Sequence, residues 1–354
     1  MAGCLLLWST GGAEAAHTPS LRIATFGGGV QAAQQAALFT PFAASNNVRL
    51  QAADWDGRLE TLQTRAATGH EDWDLVLMEA APLQLACQQG LLLATPLVPP
   101  LAAPGATANP APAPDSSGKD CGVAAWRMDL VLAWDKSRVA DTPTWNDFWN
   151  VAQRPGKRGL RHDPRGTLEI ALLADGVAPG DVYRTLATPD GVDRAFRKLD
   201  QLKPYIVWWN SPADAVRLIE SGAALMTSAP AGEVMAAGSL DHRSFGTQWA
   251  QSLGIPIDWA IPRTIPPDHQ APAQKLLGFV DSPAGRADFL SAYRATLPSE
   301  DGPASKSGPA NEDGPASEGG KQPTVSPTLI MDDGFWLTHL VPLRRRFDRW
   351  ADAK

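Results

Sequence analysis

The chain has 354 residues and a net charge of −7, from 31 Lys and Arg against 38 Asp and Glu. At 44% hydrophobic and 19% charged residues it can build a core, which excludes disorder throughout and fits two domains or one domain of two lobes. The acidic balance excludes a nucleic-acid binder, and no apolar run reaches the roughly 18 residues of a membrane span.

Residues 1–18 read as the remnant of an export signal. Ala2 to Trp8 is a short apolar run, and Ala13-Glu14-Ala15 is an A-x-A-like cleavage site. No basic segment precedes them, so the start is expected upstream. Ala2-Gly3-Cys4 has the form of a lipobox end, but lipid anchoring is the weaker reading.

Leu21 to Phe26 predicts a strand, Gly27 to Gly29 a turn, and Ala32 to Ala44 a helix. Strand, glycine turn and helix place backbone N–H groups where a ligand can meet them. The pattern is not G-x-G-x-x-G, so a dinucleotide is not expected. Val48 to Ala53, Arg58 to Thr68, Trp73 to Met78 and Pro82 to Gln89 continue the alternation of strand and helix, which predicts a mainly parallel sheet. Val98 to Ser117, rich in Pro and Ala, is a loop.

Val123 to Asp135 returns to strand, and helices follow at 144–152, 166–174, 180–187 and 189–202. Ser211, Pro212 and Asp214 mark a helix start that ends by Gly222, and Ala223 to Ala229 is a strand. Ser299 to Pro327 is low in complexity, repeats Asp-Gly-Pro-Ala-Ser, and is expected to be a disordered insertion. Phe335 to Ala353 predicts a helix with Arg344, Arg345, Arg346 and Arg349 facing water.

Besides Cys4 the chain has Cys87 and Cys121, an even pair 34 positions apart and a candidate disulfide in an exported chain; two unrelated buried thiols are the alternative. The six histidines lack metal-ligand spacing, and no G-x-S-x-G, H-x-x-E-H or Walker motif occurs. No metal, cofactor or catalytic residue is expected.

Several blocks resemble the bacterial extracellular solute-binding proteins of the spermidine/putrescine class. They are Asp120-Cys121-Gly122-Val123, Thr144-Trp145 with Phe148-Trp149, Arg154 to Gly159, Thr167 to Gly176, Arg194 to Asp200, and Trp208-Trp209. The resemblance covers about residues 20–298 and 328–350. It implies an α/β, two-lobed periplasmic-binding-protein fold of type II, with the ligand cleft between lobes, one sheet per lobe and two crossings. Residues 19–125 and 257–354 would form lobe 1, and 126–256 lobe 2. It also implies a monomer in the periplasm that serves an ABC permease and ATPase, and it strengthens the Cys87–Cys121 pairing.

A polyamine-like cation needs carboxylates at its ends and aromatic faces along its stem. The resemblance places Phe26 and Gly27 at the cleft, with Glu79 after the strand that ends near Met78. Glu233 falls at the acidic position of Pro230-Ala231-Gly232-Glu233, where Pro230 replaces the family's aromatic. A further family acid falls on Ile257, with Asp258 one residue away and therefore on the other face of a strand. Trp249 and Trp259 are candidate walls, Arg165 is the one nearby cation and a potential partner of Glu233, and the family's tyrosine before Gly-Pro is replaced by Ser307. The polyamine set is thus eroded. The alternatives are another ligand (anion, metal or sugar) or a sensor-docking role.

Overall fold

The computed structural model describes residues 19–69, 72–95, 121–241, 244–295 and 329–353. The export-signal segment, the Pro/Ala-rich stretch and the 299–327 insertion lie outside the described residues.

The first strand, β1 (Ser20–Thr25), feeds through Phe26 and Gly27 into α1 (Gly28–Gln34). A π-turn at Gln35–Phe39 carries α1 directly into α2 (Thr40–Asn46). The helix therefore starts four residues earlier than its apolar periodicity predicts, because the glycines themselves form its first turn. Then come β2 (Arg49–Asp54), α3 (Leu59–Ala67), β3 (Leu75–Glu79) and α4 (Ala80–Gln88). Every residue of β3 is buried, as expected for a strand covered on both faces.

The long strand β4 (Gly122–Asp135) leads to α5 (Trp145–Trp149), β5 (Arg158–Arg161), α6 (Pro164–Ala174), α7 (Val182–Leu186) and α8 (Pro189–Leu202). After these come β6 (Ile206–Trp209), α9 (Pro212–Glu220), β7 (Met226–Pro230) and α10 (Ala231–Asp241). A second long strand, β8 (Phe245–Ala260), returns the chain to α11 (Pro267–Asp281) and α12 (Pro283–Ala295). The last elements are β9 (Leu329–Ile330) and α13 (Asp333–Asp352). Capping boxes at Thr144 and Ser211 start α5 and α9, as the Ser211-Pro-Ala-Asp214 pattern predicts for the second.

The strands hydrogen-bond in the order β2-β1-β3-β8-β4-β7-β5-β6, with β9 beside β8. The ladder is thus continuous, in contrast to the expected separate sheet in each lobe. The reason lies in β4 and β8, which run antiparallel past one another for most of their length. Their register shifts at Ala124/Trp126 and again at Leu130/Leu132. Such bulges bend and twist a strand while sparing the ladder. On one side β1, β2 and β3 are parallel, and on the other β5 pairs in parallel with β6 and β7. The C-terminal ends of both parallel groups meet in the cleft.

Cys87 and Cys121 form a disulfide with Cα atoms 5.7 Å apart, tying the last turn of α4 to the start of β4. The helix α13 packs on α4 and α6. Phe347 packs at a tilt on His162 and edge-on to Trp208, and Trp350 edge-on to Phe196. One expectation for this helix fails: Arg344 is 6% exposed instead of facing water. Its guanidinium is ion-paired with buried Asp163 across 181 positions of sequence.

Candidate functional site

The cleft is closed by two carboxylates, one from each side. Glu233 stands on the first turn of α10, just after β7. Its Oε2 accepts from the Gly29 N–H at 2.8 Å and its Oε1 from the Val30 N–H at 3.0 Å. These are first-turn donors of α1, which have no partner within their own helix. The approach requires glycine. A Cβ on Gly28, at φ +61°, would lie 2.2 Å from Glu233 Oε2. Burial raises the pKa of Glu233, and the Val30 and Gly29 N–H groups only partly offset it. No cation is ion-paired with Glu233 among the described residues.

Tyr293, on α12, completes this contact. A Cβ on Gly232 would fall 1.6 Å from the Tyr293 hydroxyl oxygen, so the phenol sits over the turn that presents Glu233. Burial, then the charges of Glu233 and Asp129, push the Tyr293 pKa up. Phe289 stacks on Tyr293 with centroids 5.7 Å apart, and Trp126 of β4 lies against Phe289 at 5.0 Å. The sequence offered no tyrosine before Gly-Pro. The phenol beside the acid comes instead from a different part of the chain.

Glu79 closes the other half. It ends β3 and precedes α4, but its side chain makes no cap for that helix. Its Oε2 accepts from Arg165 Nη1 at 2.7 Å, and its Oε1 lies 2.5 Å from Arg161 Nη1. The second contact is an ion pair without hydrogen-bond alignment, since Arg161 Nη1 finds no aligned acceptor. Glu79, expected as a cleft carboxylate, is 3% exposed and ion-paired with both arginines. The cation Arg165 pairs with Glu79 and not with Glu233.

The local backbone explains how Arg165 reaches the cleft. Asp163 caps α6 through the Arg165 N–H, Arg165 itself is extended at ψ 131°, and Gly166 takes φ +80° before the helix proper. Asp163 grips Arg165 through Nε at 3.0 Å and Nη2 at 2.8 Å. Burial alone would raise the Asp163 pKa, but Arg165, Arg344 and Arg161 hold it well below the usual range. Arg58 and Arg344 both donate to the His162 carbonyl, the latter at 3.2 Å.

Behind this layer Glu169 is fully buried, with no charged partner among the described residues. Its Oε1 accepts from Trp336 Nε1 at 2.7 Å and the Tyr183 hydroxyl at 2.9 Å, and its Oε2 from the Gly166 N–H at 2.8 Å. Burial nevertheless pushes its pKa up to about 7.

The remaining expected site residues are less central. Gly27, at φ +75°, precedes α1, and a Cβ there would meet the Asp54 carboxylate at 2.9 Å. Phe26 is buried, with its ring against Gly57. Asp258 is buried in β8 opposite Met78, while Ile257 pairs with Glu79. Trp249 lies on the β8 excursion at the second register shift, half-buried, and joins neither carboxylate contact. Trp259 is core, edge-on to Phe39 at 6.4 Å. Arg161, Arg165 as the partner of Glu79, Tyr293 and Glu169 are the members that sequence reasoning missed.

A family model described as bacterial extracellular solute-binding protein matches residues 37–313. The chain is also 34% identical over 344 residues to the gamma-aminobutyric acid-binding protein of Pseudomonas aeruginosa, covering 96% of this chain and 93% of that one. It belongs to the bacterial extracellular solute-binding proteins. Its fold is shared with the periplasmic binding protein MotA of A. tumefaciens B6, solved with glucopine. That match has a TM-score of 0.75 at 23% identity, over 94% of this chain and 99% of that one. The Atu4243 GABA receptor matches with a TM-score of 0.68 at 23% identity, over 95% and 98%. This solute-binding protein is thus the two-lobed substrate-binding component of an ABC importer and not an enzyme. No helix among the described residues is long and apolar enough to cross a membrane.

Proposed function

We propose that this solute-binding protein captures a small zwitterionic amino acid of the 4-aminobutanoate type in the periplasm and hands it to the permease and ATPase. In this reading Glu233, with Tyr293 beside it, receives the ligand's ammonium group. Arg161 and Arg165 receive its carboxylate. The observation that carries the reading is the contrast of sign within one cleft. A buried carboxylate without a cation follows β7, and two arginines surround the end of β5, the strand paired with β7. Neighbouring strands lie about 4.8 Å apart, a separation of the order of a four-carbon amino acid. A polyamine has no group for the arginine side. The 34% identical relative is named for gamma-aminobutyric acid, which points the same way.

In the same reading, residues 19–125 and 257–354 belong to the first lobe and 126–256 to the second, and α13 bridges them by packing on α4 and α6.

Calorimetric titration with 4-aminobutanoate, putrescine, spermidine and glutamate tests the ligand. Binding of 4-aminobutanoate in preference to both polyamines is expected, and tighter binding of either polyamine would overturn the reading.

A further inference from the structure

We infer that Glu79 is a built-in stand-in for the ligand's carboxylate: in the empty closed form it occupies the arginine pair that the ligand must claim. The inference rests on the zwitterion reading for the ligand's identity, but its conformational part stands on geometry alone.

Glu79 ends β3, one of the parallel strands on one side of the cleft, whereas its partner Arg161 ends β5 on the other and Arg165 follows that strand. It does nothing for its own helix, whose N-terminus it precedes without a side-chain bond. Its partners do not depend on it equally. Arg165 is gripped at Nε and Nη2 by Asp163, so only its Nη1 turns to Glu79. Arg161 has Glu79 as its close ion-pair partner, yet its Nη1 is not aligned for a hydrogen bond. An arginine fork with one misaligned buried arm is an incomplete match for a single carboxylate, since guanidinium groups favour two parallel bonds.

Charge points the same way. Arg58, Arg161, Arg165 and Arg344 converge on this end of the cleft, against buried Asp163 and Glu79 and the more exposed Glu60 and Asp348, which lie 4.0 and 3.9 Å from Arg344. Remove Glu79, and the four guanidinium groups face one buried carboxylate. An arriving carboxylate restores the balance. The self-contact therefore does two things. It holds the lobes together without ligand, and it competes with the anionic end of whatever enters. Only the open, unoccupied fraction is competent to bind, so the apparent affinity is the intrinsic one multiplied by that fraction.

The test uses the full chain with Glu79→Gln, and with Glu79→Asp as a second variant that keeps the charge but shortens its reach. Small-angle scattering without ligand should give a larger radius of gyration for Glu79→Gln than for wild type, with Glu79→Asp between them. Calorimetry with 4-aminobutanoate should show Glu79→Gln binding about tenfold tighter than wild type. Equal or weaker binding would overturn the inference, because a glutamate that held the ligand's amine would lose affinity when neutralised. If no form binds 4-aminobutanoate, the ligand reading falls and scattering alone decides. An unchanged radius of gyration in both variants would then overturn the latch as well.

Discussion

The two carboxylates that close the cleft, Glu79 and Glu233, are nearly equally buried and are satisfied by opposite means. Glu79 lies between two guanidinium groups, whereas Glu233 is held by two backbone N–H groups and no cation. Full charges neutralise an ion, but amide dipoles only solvate it. That is why burial still lifts Glu233 above the ordinary carboxylate range. The difference separates two kinds of readiness: one end of the cleft is already charge-balanced, and the other gains when a cation arrives.

The largest way to break this comparison is Arg165→Ala. It leaves Glu79 and Asp163 buried with a major counter-charge gone, and breaking such a pair costs about 3–5 kcal/mol. Urea unfolding should show a loss of that order. The Glu233 side is broken from the backbone by Gly28→Ala, which puts a Cβ at φ +61° and 2.2 Å from Glu233 Oε2. The left-handed strain alone costs about 1–2 kcal/mol, and thermal melting should register it.

Glu233→Gln sharpens the comparison on the functional side. With 4-aminobutanoate, affinity should fall about 10- to 100-fold in calorimetry, the worth of a charge-assisted bond. In wild type, a bound amine favours the ionised acid whose pKa burial has raised. Binding should therefore release protons and strengthen as pH rises through the region just above the usual carboxylate range; titrations in buffers of different ionisation enthalpy measure this.

A further expected effect concerns Glu169. Burial pushes its pKa up from an ordinary glutamate's 4.5 to about 7 in the folded chain. A raised acid contributes stability that is complete below the unfolded value and is lost as pH rises through the folded one. Melting temperature should thus decline between about pH 4.5 and pH 7, and Glu169→Gln should flatten that slope.

Local pattern made part of this legible. The Leu21 to Phe26 strand and its three glycines marked a helix start facing a ligand, and Glu233 stood out at the acidic position of its loop. Both depend on neighbours within a few residues. The arginine side was hidden because Arg165 and Glu79 are 86 positions apart, and nothing in either segment names the other. The last helix shows the same limit. Arg344 looks like its neighbours Arg345 and Arg346, yet it alone points at Asp163. Strands β5 and β6 escaped notice because each is four residues long, and β5 begins and ends on arginine. Tyr293 was passed over since its relation to Gly232 exists only once α12 lies against that turn.

The position of α13 has a consequence for how the protein is made. A chain synthesised or threaded across a membrane from its N-terminus delivers Asp163 and Glu169 long before Arg344 and Trp336, their partners at 181 and 167 positions' distance. Until the final twenty-residue helix emerges, each of those acids has its local donors, Arg165 for Asp163 and Gly166 and Tyr183 for Glu169, but lacks the one from α13. The arrival of α13 is therefore the event that completes both buried networks.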